Sequence, residues 1–130
     1  MEYSTVRKIV ALYRDRDDID HVNSKGAFSQ TISILKSGGL RSAWIYTGTR
    51  PKPTSVDGLL VLRPNIKARI YAIIYVNYVD EYVIDFISIK ADNAALYDTS
   101  GGVYLDELAG AYESMYDAYI QAEQNGFIRI

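Results

Sequence analysis

Residues 67–90 read KARIYAIIYVNYVDEYVIDFISIK, a block dominated by β-branched and aromatic side chains. No other stretch of the chain restricts its fold as much. Such side chains are crowded on a helix but pack well on a pleated sheet. The charge-free run within it, 70–79, has about half the length that a membrane-crossing helix requires. The block therefore reads as two strands, Lys67–Val79 and Tyr82–Lys90, linked by Asp80-Glu81. So short a link permits only antiparallel pairing. Asp-Glu is a poor fit to the tight hairpin turns, so a loop one residue longer is the natural variant.

With Asp80-Glu81 as the loop, Val79 opposes Tyr82, Asn77 opposes Ile84, Tyr75 opposes Phe86 and Tyr71 opposes Lys90. Opposed residues share a face, and the face alternates along each strand. One face then gathers Ile70, Ala72, Ile74, Val76, Tyr78, Val83, Asp85, Ile87 and Ile89. It is mainly aliphatic and is expected to meet the helices, with Asp85 as a misfit that needs a partner or an edge position. The other face gathers Arg69, Tyr71, Tyr75, Asn77, Tyr82, Phe86, Ser88 and Lys90. Tyrosine joins a large apolar body to a hydrogen-bonding tip, so this second face suits an interface. Arg69, Tyr71, Tyr75, Asn77, Tyr82, Phe86 and Lys90 are the candidate partner-binding residues. They suit a protein surface or self-association. Stacking of unpaired bases, with Arg69 and Lys90 on phosphates, is the rarer use. Coverage by the chain's own elements is the plain structural use of such rings.

Around this hairpin the periodicity changes. Residues 4–14 have Val6, Ile9, Val10 and Tyr13 on one helical face, and Ser4 can cap the start. A second helix is predicted over 24–36, with Phe28, Ile32 and Leu35 as its buried stripe. Short strands are predicted at Ala43–Thr47 and Leu59–Leu62, separated by the loop GTRPKPTSVDG. Residues 91–102 read as a connector in which Thr99 or Ser100 caps the next helix. From 103 to 124 the period is again helical, with Leu105, Leu108, Ala109, Tyr112, Met115, Tyr116 and Tyr119 on one face. The terminal FIRI reads as a short strand. The fold class is thus α+β: a mostly antiparallel sheet of four to five strands with a meander core. Two N-terminal helices and one long C-terminal helix are expected on one face. Length and the absence of a linker point to a single domain over 1–130.

Composition narrows the chemistry. With no cysteine, disulfide, thiolate-zinc and cysteine-nucleophile readings are closed. The chain shows neither a membrane helix nor a signal-peptide core, which favours a cytoplasmic protein. Residues 1–69 carry twelve Lys/Arg against six Asp/Glu, and residues 70–130 carry two against ten. The basic surplus is densest at Arg41, Arg50, Lys52, Arg63, Lys67 and Arg69. Such a region can serve nucleic acid or another anion, but opposed halves of one fold give the same asymmetry. The single histidine, His21, lies in DDIDH, where Asp17, Asp18 and Asp20 lack the glycine and terminal glutamate of a calcium loop. Those acids read as a solvated helix approach, and no metal or cofactor is implied. Asp98–Gly102 lacks the lysine of a phosphate-binding loop.

One catalytic alternative needs no histidine. A ribonuclease could use Arg63, Lys67, Arg69, Tyr71 and Tyr75 to stabilise charge and move a proton. The balance of residues favours a small accessory protein without enzymatic activity. Its expected partner is a protein or a second copy in a homodimer, with nucleic acid as the alternative.

Overall fold

One antiparallel sheet runs through the computed structural model, which describes residues 5, 8–9, 11–13, 16–37, 44–45, 59–64, 69–91 and 93–126. Its strands are β1 (Trp44–Ile45), β2 (Leu60–Arg63), β3 (Ile70–Val76), β4 (Tyr82–Lys90) and β5 (Asn93–Val103). They lie side by side in chain order, so every pairing joins sequence neighbours. Helices α1 (His21–Gly26) and α2 (Phe28–Ser37) precede β1, and a 3-10 turn over Leu105–Glu107 leads into α3 (Leu108–Gly126). This is the α+β meander with a long C-terminal helix that the periodicity predicts.

The helix starts have local causes. Asp20 accepts the backbone N–H of Asn23 through Oδ1 (3.1 Å) and its side-chain amide through Oδ2 (2.8 Å). That cap starts α1 before the predicted Ser24. Only Ala27 separates α1 from α2, and Thr31 N–H still donates to Ala27 O at 2.9 Å. At the other end, the backbone N–H of Tyr104 donates to Glu107 Oε1 at 3.2 Å. Tyr104 and Glu107, not Thr99 or Ser100, therefore organise the start of the last helical segment.

The hairpin differs from expectation in its register. Val76 opposes Tyr82, and the pairing continues through Tyr75–Val83, Ile73–Asp85, Ala72–Phe86 and Ile70–Ser88. Residues 77–81 form the loop, three residues longer than Asp80-Glu81 alone. Asn77 closes it. Its Oδ1 accepts the N–H groups of Val79 and Glu81, both at 3.0 Å, and its own N–H donates to Glu81 O at 2.9 Å. Asp80 takes left-handed backbone (φ 66°) within that turn. An odd shift moves the whole side-chain set of one strand to the opposite face relative to its partner. Tyr71 and Tyr75 therefore share a face with Val83, Asp85 and Ile87, whereas Tyr82, Phe86, Ser88 and Lys90 lie on the other.

The predicted connector 91–102 is a second difference, because it holds most of β5. Ala91, at φ 54°, reverses the chain so that Lys90 opposes Asn93. Two irregularities interrupt the ladder, one between Tyr82 and Ile84 and one between Phe86 and Ile87. Each accommodates extra residues in β5. At the first, Gly102 adopts φ 65°, a conformation that costs glycine little.

Both sheet faces are covered. On one, Leu60, Leu62, Ile70, Ala72, Ile74, Val76, Tyr82, Ile84 and Phe86 pack against Leu35 of α2 and against Leu108, Tyr112, Met115 and Tyr119 of α3. On the other, Leu59, Val61, Tyr71, Ile73, Tyr75 and Ile87 pack against Ile9, Tyr13 and Ile19. The N-terminal segment, helical at positions 5, 8, 9 and 11, thus lies across the sheet from α2 and α3. An isolated bridge from Ile19 to Asn77 and a bond from Asp20 N–H to Val76 O (2.9 Å) fasten it there. Among the described residues, no helix is long and apolar enough to cross a membrane.

Candidate functional site

The expected open tyrosine face is not formed. Tyr71 and Tyr75 are 3% exposed, Tyr82 is 8% exposed, and Phe86 is fully buried on the opposite side of the sheet. The register shift divides the set and the two covering layers bury its rings. Asn77 is half-buried in the loop, where its carboxamide closes the turn. Of the seven candidates, Arg69 and Lys90 are exposed. They lie at the same end of the sheet, since Lys90 ends β4 and Arg69 O accepts the N–H of neighbouring Ile89 at 3.1 Å. Arg41, Arg50, Lys52 and Lys67 lie outside the described residues. So do the FIRI segment and the side chains of Arg63 and His21.

Asp85, the misfit of the aliphatic pattern, organises a polar cluster beneath the N-terminal segment. Its carboxylate is buried, and Ile73 opposes it on β3. Tyr13 Oη donates to Oδ2 at 2.7 Å, and Thr99 Oγ1 donates to Oδ1 at 2.6 Å. Arg16 Nη1 is 3.8 Å from Oδ2, while Nη2 donates to Tyr75 Oη at 2.8 Å. The guanidinium lies 5.1 Å from the Tyr13 ring centre and 5.5 Å from that of Tyr75. On its wet side Arg16 grips Asp18 with Nε at 3.0 Å and Nη2 at 2.6 Å. This bond holds the Asp18 carboxyl below its ordinary range and, as the largest contribution, raises the arginine further. Burial first, and then the Asp85 charge, pushes the Tyr75 hydroxyl up to about 12 and that of Tyr13 higher still.

Each member of this cluster is occupied by another. A buried carboxylate with two short hydroxyl donors and a nearby cation is satisfied, and the arrangement pins four chain segments together. Each oxygen of the Asp85 carboxylate accepts a hydroxyl, so the chemistry of the cluster is cohesion. Among the described residues, no three His, Asp or Glu side chains gather as metal ligands.

Two of the accessible features bear on association and binding. The first is β5. It is the last strand of the sheet, eleven residues long, and paired only with β4 among the described residues. Leu96 is 59% exposed and Tyr97 is 42% exposed. Asn93–Leu96 pairs regularly with Lys90, Ile89, Ser88 and Ile87, so its backbone is straight enough to take another strand. The second is a cavity of about 480 Å³ where the sheet end meets α3, lined by Arg69, Ser88, Ile89, Lys90, Tyr97, Tyr119 and Glu123.

Reading 91–102 as a connector hides Leu96 and Tyr97, and placing Tyr119 in the helix core hides its second role. The misplaced Asp85 is the clearest signal in the sequence, because a carboxylate on an aliphatic face demands buried donors. Compared with known proteins, the chain matches no family model, no curated protein and no solved structure.

Proposed function

We propose that the protein is a small accessory protein that works by association, and that its docking element is the outer edge of β5. The occupant is a second copy, paired antiparallel across a two-fold axis. The carrying observation is an eleven-residue edge strand with no lysine, arginine or proline and one carboxylate, Asp98. Edge strands that stay single usually carry such blocking residues. The irregularities in β5 lie at and beyond Tyr97, so Asn93–Leu96 keeps a regular ladder with β4.

Identical antiparallel edges are self-complementary. A register centred on Leu96 sets the two Leu96 side chains opposite each other, with Asn93–Ala95 of each copy meeting the other's strand beyond the Tyr97 irregularity. That pairing makes an apolar cross-strand contact and avoids opposing like charges. An edge contact of this length buries less than a standard interface, so the dimer is weak and concentration-dependent.

Sedimentation velocity from about 1 μM to about 1 mM tests the reading. The expected result is a monomer that shifts to a dimer, with Leu96→Lys remaining monomeric and equally folded. Leu96→Cys, in a chain without native cysteine, is expected to form an intermolecular disulfide on mild oxidation. A wild type that is monomeric throughout, or a dimer indifferent to Leu96→Lys, overturns it.

A further inference from the structure

The cavity at the end of the sheet has a composition that the edge-pairing reading does not use. Lys90 lines it from the end of β4, and Arg69 lines it from the neighbouring start of β3. Neither cation has a carboxylate within ion-pairing distance among the described residues, although both are exposed. Two cations that line one cavity, neither paired with a carboxylate among the described residues, favour an anion.

The remaining lining is aromatic and hydrogen-bonding. Tyr97 packs edge-on against Tyr119, with ring centres 5.5 Å apart, and Tyr116 stacks on Tyr119 at 6.4 Å. This fixes the Tyr119 ring and leaves Tyr97, 42% exposed, as a surface on which a flat ligand can lie. Ser88 supplies a hydroxyl. Glu123 supplies a carboxylate that can accept from a sugar hydroxyl or a base amino group, but it would repel a bare anion. The volume of about 480 Å³ falls in the range of small-molecule sites.

We infer that this cavity binds a nucleoside monophosphate unit, with the phosphate on Lys90 and Arg69 and the base against Tyr97. Inorganic phosphate meets the cations but gains nothing from the ring, and it also faces Glu123. A nucleoside has the base without the charge. Only the two together use the whole lining. The unit is available as a free nucleotide or as the phosphorylated end of a single strand.

Calorimetric titration of the full chain separates these cases. The probes are a panel of the common nucleoside 5′-monophosphates, inorganic phosphate, and a short single-stranded oligonucleotide with and without a 5′-phosphate. At least one monophosphate is expected to bind about tenfold or more tightly than inorganic phosphate. Lys90→Ala and Arg69→Ala, both at exposed positions, are each expected to weaken it about tenfold. Tyr97→Ser weakens nucleotide binding and leaves phosphate unchanged. Binding of the phosphorylated oligonucleotide in addition assigns the site to strand ends, and its exclusion assigns the site to the free nucleotide. No binding by any monophosphate at millimolar concentration overturns the inference. So does equal affinity for phosphate alone, or binding insensitive to the Lys90→Ala, Arg69→Ala double variant. These variants leave Leu96 in place, so failure here is distinct from failure of dimerisation.

Discussion

Two tyrosines in the core face opposite requirements. Tyr13 donates a hydrogen bond to the buried Asp85 carboxylate at 2.7 Å. Tyr112 is 2% exposed, stands edge-on to Phe86 at 5.7 Å, and its hydroxyl has no hydrogen-bond partner among the described residues. A hydrogen bond to a charged group stabilises by about 1.5–3 kcal/mol, whereas an unpaired buried hydroxyl is a cost. The same substitution should therefore have opposite effects. Tyr13→Phe is expected to lower unfolding stability by about 2 kcal/mol, because Asp85 loses a donor while the ring contacts remain. Tyr112→Phe is expected to be neutral or mildly stabilising. Urea unfolding midpoints of the two variants against wild type check both, and a destabilised Tyr112→Phe would require a partner for that hydroxyl. The need for donors around Asp85 is legible in the sequence, since a carboxylate in an aliphatic alternation must be satisfied. Their identity is not, because Tyr13 and Thr99 reach it from segments 72 and 14 positions away.

At the scale of elements, the 77–81 loop shows how local bonds decide a register. Composition favours strand through Tyr78 and Val79, yet both are largely exposed, at 66% and 70%. The two bonds accepted by Asn77 Oδ1 outweigh their strand preference. Asn77→Ala removes that acceptor and is expected to cost about 1–2 kcal/mol. Asp80→Gly, at φ 66°, relieves a strained conformation and is expected to gain about 0.5–1 kcal/mol. Thermal unfolding of the pair should show shifts of opposite sign. If Asn77→Ala melts with wild type, its carboxamide does not hold the turn. The predicted limits of β4 coincide with the observed Tyr82–Lys90 because alternating bulky residues end at charged or turn-forming neighbours. The helical face of α3 is equally plain, with Leu108, Tyr112, Met115 and Tyr119 at three- and four-residue spacing, all buried. β5 is obscure for a physical reason. Its alanines and glycines have weak strand preference, and it is a strand only because β4 offers a pairing edge. The outer side of β5, unpaired among the described residues, and the cavity beside Tyr97 both depend on that strand, so this candidate surface is invisible to periodicity.

At the scale of the molecule, tyrosine protons are distributed across both sides of the sheet. Tyr13 of the N-terminal segment and Tyr75 of β3 are buried on one side, and Tyr112 of α3 is buried on the other. Burial raises all three hydroxyls above the ordinary value of 10.0, Tyr75 to about 12. The native state therefore holds these protons through a pH range in which the unfolded chain has released them. A raised native pKa contributes stability that is complete below the unfolded value and is lost as pH rises through the native one. Unfolding stability is thus expected to be flat between about pH 6 and about pH 9 and to fall steeply from about pH 10. Above that point unfolding should release more than one proton per chain, visible as a step in tyrosinate absorbance coincident with the loss of secondary structure. Tyr112→Phe removes one proton from the release and should make the alkaline limb shallower without shifting its onset. A gradual tyrosinate signal that precedes unfolding would mean that the rings titrate in the folded protein, and then neither covering layer seals the sheet.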